Sequence, residues 1–237
     1  MISIRNVTVS FGGVIALDRL SIDLEAPVVG VIGPNGAGKT TFLNVFSGFV
    51  VPRQGSINAF GTELLAMRPF RRSRWGLRRS FQKEQVVDEL SVEDNVQVVL
   101  DPLDFTPSER KRHTAAALDY CGILKLRTRP AAGLNALERR MVELARCVAG
   151  RPRIILLDEP GAGLSLTEVE QLKTVITGMR AFNGATTLLI DHDVDLIQAT
   201  CPVSMVLNFG ALIASGATRD VLTDPRVRAV YLGEEAA

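Results

Sequence analysis

The stretch Gly33-Pro34-Asn35-Gly36-Ala37-Gly38-Lys39-Thr40 constrains this chain more than any other. It fits G-x-x-x-x-G-K-[ST], the phosphate-binding P-loop. The apolar run Val28-Val29-Gly30-Val31-Ile32 before it reads as a buried strand. The run after it, with Phe42, Leu43, Val45 and Phe46 ahead of Gly48, reads as a helix. Strand, glycine loop and helix in that order is the context the motif needs. Glycines let backbone N–H groups curl around a phosphate with no Cβ in the way. The helix N-terminus adds partial positive charge. Lys39 reaches the outer phosphates as a point charge, and the Thr40 hydroxyl is a ligand for Mg²⁺. Gly33 through Gly38 and Thr41, one residue further on, complete the expected nucleotide contacts. The plain alternative is a glycine-rich turn that binds nothing, and the filled positions and flanks argue against it.

At 237 residues the chain suits one large domain, or a core domain with a smaller lobe. A hydrophobic fraction of 46% supports a substantial core. Lys plus Arg is 27 against 26 for Asp plus Glu, so no global basic field points to nonspecific nucleic-acid binding. Cys121, Cys147 and Cys201 are odd in number, far apart and form no C-x-x-C pair, as expected of small buried thiols in a reduced, cytosolic chain. No apolar run approaches the roughly 18 residues of a membrane span. The N-terminus lacks the apolar core of a signal peptide. Work at a membrane would require a partner to supply the spans.

Along the chain, Ile2, Ile4, Val7 and Val9 alternate as in a half-buried strand. Phe11-Gly12-Gly13 is a turn, and a second strand runs through Leu20, Ile22 and Leu24. Phe11 has two readings, core filling or a platform that stacks on a nucleobase. Pro52 to Gly55 reads as a turn and Ser56 to Phe60 as a short strand. The basic run Arg68, Arg71, Arg72, Arg74, Arg78 and Arg79 reads first as a solvated helix face; nucleic-acid contact and docking to an acidic partner are the alternatives. Residues 77–82 read as a strand ending at Phe81-Gln82, where the Gln82 amide can reach a metal or water. Helices are expected after Ser91 and after Thr106-Pro107-Ser108-Glu109, a capped start with proline at the first helical position. His113 reads as a surface residue and not a ligand. Asn135 caps a helix running to about Ala149. Residues 84–135 read as a mainly helical lobe inserted into a nucleotide-binding core.

Ile154-Ile155-Leu156-Leu157-Asp158-Glu159 is the second strong signal: a buried strand with carboxylates at its C-terminal tip, where α/β sheets bind ligands. Asp158 suits the Mg²⁺ coordination shell, and Glu159 suits polarising the attacking water. A solvated strand end is the plain alternative, weakened by the P-loop upstream. Ala185 to Ile190 forms another apolar strand, ending at Asp191-His192-Asp193, and His192 there suits a γ-phosphate sensor. Two tail strands, Val203 to Leu207 and Ala211 to Ala214, precede a short helix and Asp224-Pro225.

This order of motifs resembles the nucleotide-binding subunit of an ABC transporter, over nearly the whole chain. It is most similar to the ATPases of branched-chain amino-acid importers, through Leu189 to Leu196, Val206 to Gly210, and Asp224-Pro225 through Tyr231-Leu232-Gly233. The resemblance implies an α/β fold: a P-loop NTPase core with a mixed sheet, an N-terminal antiparallel β subdomain and an inserted helical subdomain. The single 1–237 ABC ATPase domain then divides into a core of 1–83 and 150–237 and a helical subdomain of 84–149 carrying the signature region. By resemblance Phe11 stacks on adenine and residues 33–40 are the Walker A loop. Gln82 is the Q-loop glutamine at Mg²⁺, and Asp158 and Glu159 are the Walker B aspartate and catalytic glutamate. Gly163-Leu164-Ser165 falls in the D-loop, and His192 is the switch histidine. The catalytic set is Lys39, Glu159 and His192, the metal set Thr40, Gln82 and Asp158, and the cofactors ATP and Mg²⁺. The implied partners are polytopic permease subunits, a second ABC ATPase and, indirectly, an external substrate-binding protein, with peripheral placement on the cytoplasmic face of the membrane and no nucleic acid.

The departure is the signature. The family pattern Leu-Ser-Gly-Gly-Gln is met here by Leu134-Asn135-Ala136-Leu137-Glu138, in a register fixed by Glu143-Leu144-Ala145-Arg146. Both glycines are gone, and Glu138 adds negative charge near a γ-phosphate. At ~6 Å and an effective dielectric of ~20, each such charge pair costs roughly 3 kcal/mol. Arg139 and Arg140 are expected to offset part of it. Losing one oriented donor typically costs about 10²–10³ in rate. A heterodimer with a second ATPase whose signature is intact is therefore expected. The competing readings are a soluble ABC-type ATPase on nucleic acid or the ribosome, and a nucleotide-binding regulator with little turnover.

Overall fold

A computed structural model describes residues 1–232. Gly233, the last residue of the C-terminal likeness, lies outside them, as do residues 234–237. Ten strands are described: β1 (Ile2–Phe11), β2 (Val14–Leu24), β3 (Val28–Ile32), β4 (Gln54–Ala59), β5 (Thr62–Glu63), β6 (Leu77–Arg79), β7 (Ile154–Asp158), β8 (Thr186–Ile190), β9 (Val203–Asn208) and β10 (Ala211–Ala217). The α-helices are α1 (Lys39–Ser47), α2 (Pro69–Trp75), α3 (Val92–Gln97), α4 (Pro107–Tyr120), α5 (Ala136–Val148), α6 (Leu166–Asn183), α7 (Val194–Thr200), α8 (Thr218–Thr223) and α9 (Pro225–Leu232).

The described residues form two compact units, 1–73 with 188–232, and 74–187. In the first, an antiparallel sheet runs in the order β2-β1-β4-β5. Its inward residues Ile2, Ile4, Val7, Val9, Leu20 and Leu24 are buried, the alternation of β1 shifting register between Ile4 and Val7, where Asn6 sits at φ 50°. The same unit holds a mixed sheet in which β9 pairs antiparallel with β10 and parallel with β3, and β3 neighbours β8. All five residues of β3 are buried, so the strand reads as an unbroken apolar run.

In the second unit β6 pairs in parallel with β7, Leu77 facing Ile154 and Arg79 facing Leu156. Every residue of β7 is buried. The helix starts follow their capping residues. Ser91 accepts from Asp94 N–H, and Thr106 with Glu109 forms a capping box. Asn135 with Glu138 forms another. Each satisfies N–H groups that the first turn leaves without partners.

Several details differ from the sequence reading. β4 starts at Gln54, inside the expected turn. β6 stops at Arg79 rather than Gln82. Its last ladder bond is Ser80 N–H to Leu156 O at 2.9 Å, after which the chain leaves the sheet. The arginine run is not a solvated face. Arg72 and Arg78 are buried, and the Arg79 side chain is 6% exposed. Arg72 donates to Val45 O (2.5 Å), Phe46 O (2.7 Å) and Met67 O (3.0 Å), closing the carbonyl end of α1. Only Arg68, Arg71 and Arg74 stay exposed. His113 is half-buried, its ring 4.6 Å from that of Phe105.

Candidate functional site

In the first unit the P-loop is shaped by glycines that no other residue replaces without strain. Gly33, Gly36 and Gly38 have φ of 151°, 79° and 103°. A Cβ on Gly33 would lie 2.2 Å from Leu207 O, and one on Gly38 2.4 Å from Ala16 O. The loop is thus wedged between β9 and β2, and its amides are fixed. Ala37 N–H donates to Pro34 O, and Gly210 N–H to Ala37 O. α1 opens on Gly38 in the left-handed region with no side-chain cap, so its first N–H groups point to the loop. Lys39 is buried, and its Nζ donates to Gly33 O at 2.6 Å and Pro34 O at 2.9 Å. Thr40 is exposed and Thr41 half-buried.

Phe11 closes β1 at 54% exposure, which removes the core-filling reading. His192 follows the end of β8 and is exposed. Its turn is tied on both sides: Asp193 N–H donates to Asp191, and Asp193 caps α7 through the N–H groups of Asp195 and Leu196.

The second unit carries the acidic part. Asp158 is the buried last residue of β7, and Glu159 turns at once into the left-handed region at φ 51°. Gln82 Nε2 donates to Glu159 Oε2 at 2.9 Å, so the structure brings together two expected site residues 77 positions apart. The sequence reading missed Arg79, whose guanidinium meets Asp158 at 3.0 Å with both side chains buried. Burial pulls the Arg79 pKa below its usual value, and the Asp158 carboxylate pulls it back up. The one signal for this pair was an arginine at the end of a short strand, two residues ahead of Phe81, over which it stacks at 4.9 Å.

Among the described residues no three His, Cys, Asp or Glu side chains gather as a metal cluster. Mg²⁺ does not need one. It takes one or two carboxylates, with phosphate and water oxygens completing the shell. The Thr40 hydroxyl in the first unit, and the Gln82 amide oxygen and Asp158 carboxylate in the second, are each hard oxygen donors of the kind that ion takes.

The signature segment is also explained. Asn135 Oδ1 accepts from Glu138 N–H at 2.8 Å, and Glu138 accepts from Asn135 N–H at 2.9 Å. Arg139 and Arg140 do not offset Glu138. Arg139 pairs with Glu84 and Asp88, and Arg140 with Glu143. Arg129, 3.8 Å from Glu138, is the cation that faces it.

A glycine loop that opens a helix, with a strand-end Asp-Glu pair, defines a P-loop ATPase. Residues 17–162 match the family model described as ABC transporter, and residues 211–237 match one described as branched-chain amino acid ATP-binding cassette transporter. The chain belongs to the ABC transporter ATP-binding family, in its branched-chain amino-acid branch, and is an ATPase. It is 35% identical to the high-affinity branched-chain amino acid transport ATP-binding protein BraF of Pseudomonas aeruginosa, over 99% of this chain and 98% of that protein. It is 37% identical to the lipopolysaccharide export system ATP-binding protein LptB of Acidithiobacillus ferridurans, over 88% of this chain and 86% of that one. Among solved structures, it superposes on the ADP conformation of an ATP-binding cassette of an ABC transporter with a TM-score of 0.87, at 27% identity over 99% of both chains.

Proposed function

We propose that this chain is the ATP-hydrolysing subunit of a membrane importer of branched-chain or other hydrophobic amino acids. It works from the cytoplasmic face, bound to polytopic permease subunits that meet an external substrate-binding protein. None of its described helices is long and apolar enough to cross a membrane. The names of its relatives support the cargo class, and the near-neutral charge agrees with a protein partner. Burial of Arg72, Arg78 and Arg79 removes much of the support for a nucleic-acid role.

In this reading Phe11 stacks on adenine, and Gly33 to Thr41 wrap the phosphates. Lys39 transfers its hydrogen bonds from the loop carbonyls to the outer phosphate oxygens. Thr40, Gln82 and Asp158 would hold Mg²⁺, which when bound would neutralise charge on the phosphates. Glu159, steadied by Gln82, orients a water whose oxygen attacks the γ-phosphorus as the bond to the β-phosphate oxygen breaks. His192 donates to the γ-phosphate oxygens. Residues 84–149 serve as the helical subdomain.

The observation that carries the finer part is the contrast between these hydrolytic groups and a signature that offers Leu134-Asn135-Ala136-Leu137-Glu138. Each capping partner there is already spent on the helix start. We infer a heterodimer with a second ATPase of intact signature, in which the site built on this P-loop turns over. The purified chain alone is expected to hydrolyse ATP at least about 10²-fold more slowly than the assembled complex. Rapid turnover by the chain alone contradicts the heterodimer.

A further inference from the structure

The second unit holds a cavity of about 650 Å³ at the N-terminal ends of β7 and β8. The five residues of β7 separate it, by roughly 16 Å of strand, from Asp158 and Glu159. Its wall carries Arg151, Arg153, Arg180, His113, Asn183 and Phe182, and no carboxylate is among the described residues that line it. In a chain of net charge +1 that concentration of guanidinium groups is local and not a general basic field.

The arginines are held in place. Arg151 lies over Phe105 at 5.2 Å and Arg153 over Trp75 at 5.0 Å. Arg180 donates to Gly184 O at 2.5 Å. Two polar atoms of the wall are buried without a hydrogen-bond partner, Asn183 Nδ2 and His113 Nε2. The Asn183 side chain is oriented by Ala185 N–H, which donates to its Oδ1 at 2.9 Å, so the orphan is the donor end. A buried donor left unmet is costly, and the three arginines that line the same cavity ask for the same complement, acceptor oxygens with negative charge.

We propose that this cavity binds a phosphate-bearing small molecule. One carboxylate satisfies a single guanidinium fork, whereas a phosphate offers several charged oxygens to the amide and to more than one arginine of the wall. The volume exceeds that of a phosphate and falls in the range of small-molecule sites. Phe182, backed by Tyr120 with ring centroids 4.2 Å apart, supplies an apolar wall for the organic part.

The test uses the full chain with Lys39→Ala, so that P-loop binding is weakened, and calorimetric titration with pyrophosphate and, separately, malonate. The expected result is one saturable pyrophosphate site. It weakens about tenfold or more in Asn183→Asp, which keeps the Oδ1 acceptor and adds a repelling charge, and likewise in Arg153→Ala. Thermal melts of both variants confirm folding. Absence of pyrophosphate binding, binding of malonate alone, or binding unchanged in both folded variants overturns the proposal.

Discussion

Two glycines of the same loop differ in what they tolerate. Gly33→Ala forces a Cβ to within 2.2 Å of a backbone oxygen at φ 151°, so the strand behind must shift. We expect a loss of about 3 kcal/mol or more in denaturant unfolding. Gly36, at φ 79° with open space around its Cβ direction, is strained only by conformation. Gly36→Ala should cost about 1 kcal/mol. Equal losses at the two positions contradict the wedged loop. The thiols give a second prediction. Burial pushes Cys147 and Cys201 up to about 12 from an ordinary 9.0, with Glu143 beside Cys147 adding to the shift and the Asp191 charge to that of Cys201. The fold therefore holds these protons more tightly than the unfolded chain does. Their stabilisation is whole below pH 9 and falls as pH rises toward 12. Urea midpoints measured from pH 8 upward should drop less steeply in Cys147→Ala than in the parent. Parallel slopes contradict the assignment.

At the scale of elements, Arg72 ties α2 to the end of α1. Replacing it with methionine keeps the volume, removes the donors to the carbonyls of Phe46 and Met67, and leaves Val45 O with the Gly48 N–H. We expect a loss of about 2–3 kcal/mol, read as a lower denaturation midpoint, while Arg71→Met, exposed on the same helix, changes little. The elements themselves were legible where chemistry is local. The P-loop context, the buried strand ending at Asp158, and the starts at Ser91, Thr106 and Asn135 follow from spacing and capping within a few residues. What escaped is set by distant partners. Arg72 finds α1 carbonyls 26 and 27 residues away, and Arg79 finds Asp158 79 residues away. Periodicity carries no record of such pairs, so a run of arginines looked like a wet face. His113 likewise looked exposed because its cover, Phe105, comes from the loop before its helix. Gln82 was found by its position beyond a strand, although the strand itself ends three residues earlier.

For the whole molecule, the account rests on unequal halves. In the second unit Gln82 is hydrogen-bonded to Glu159, and Asp158 is paired with Arg79. The phosphate loop and the His192 turn are built in the first. The segment at the signature position lacks both glycines of the family pattern and keeps its Glu138 carboxylate engaged in a cap. The most direct measurement is phosphate release by the assembled transporter carrying Glu159→Gln in this chain alone. The account predicts a fall of about 10²-fold or more with ATP still bound, because this chain's site does the hydrolysis; undiminished release would contradict it.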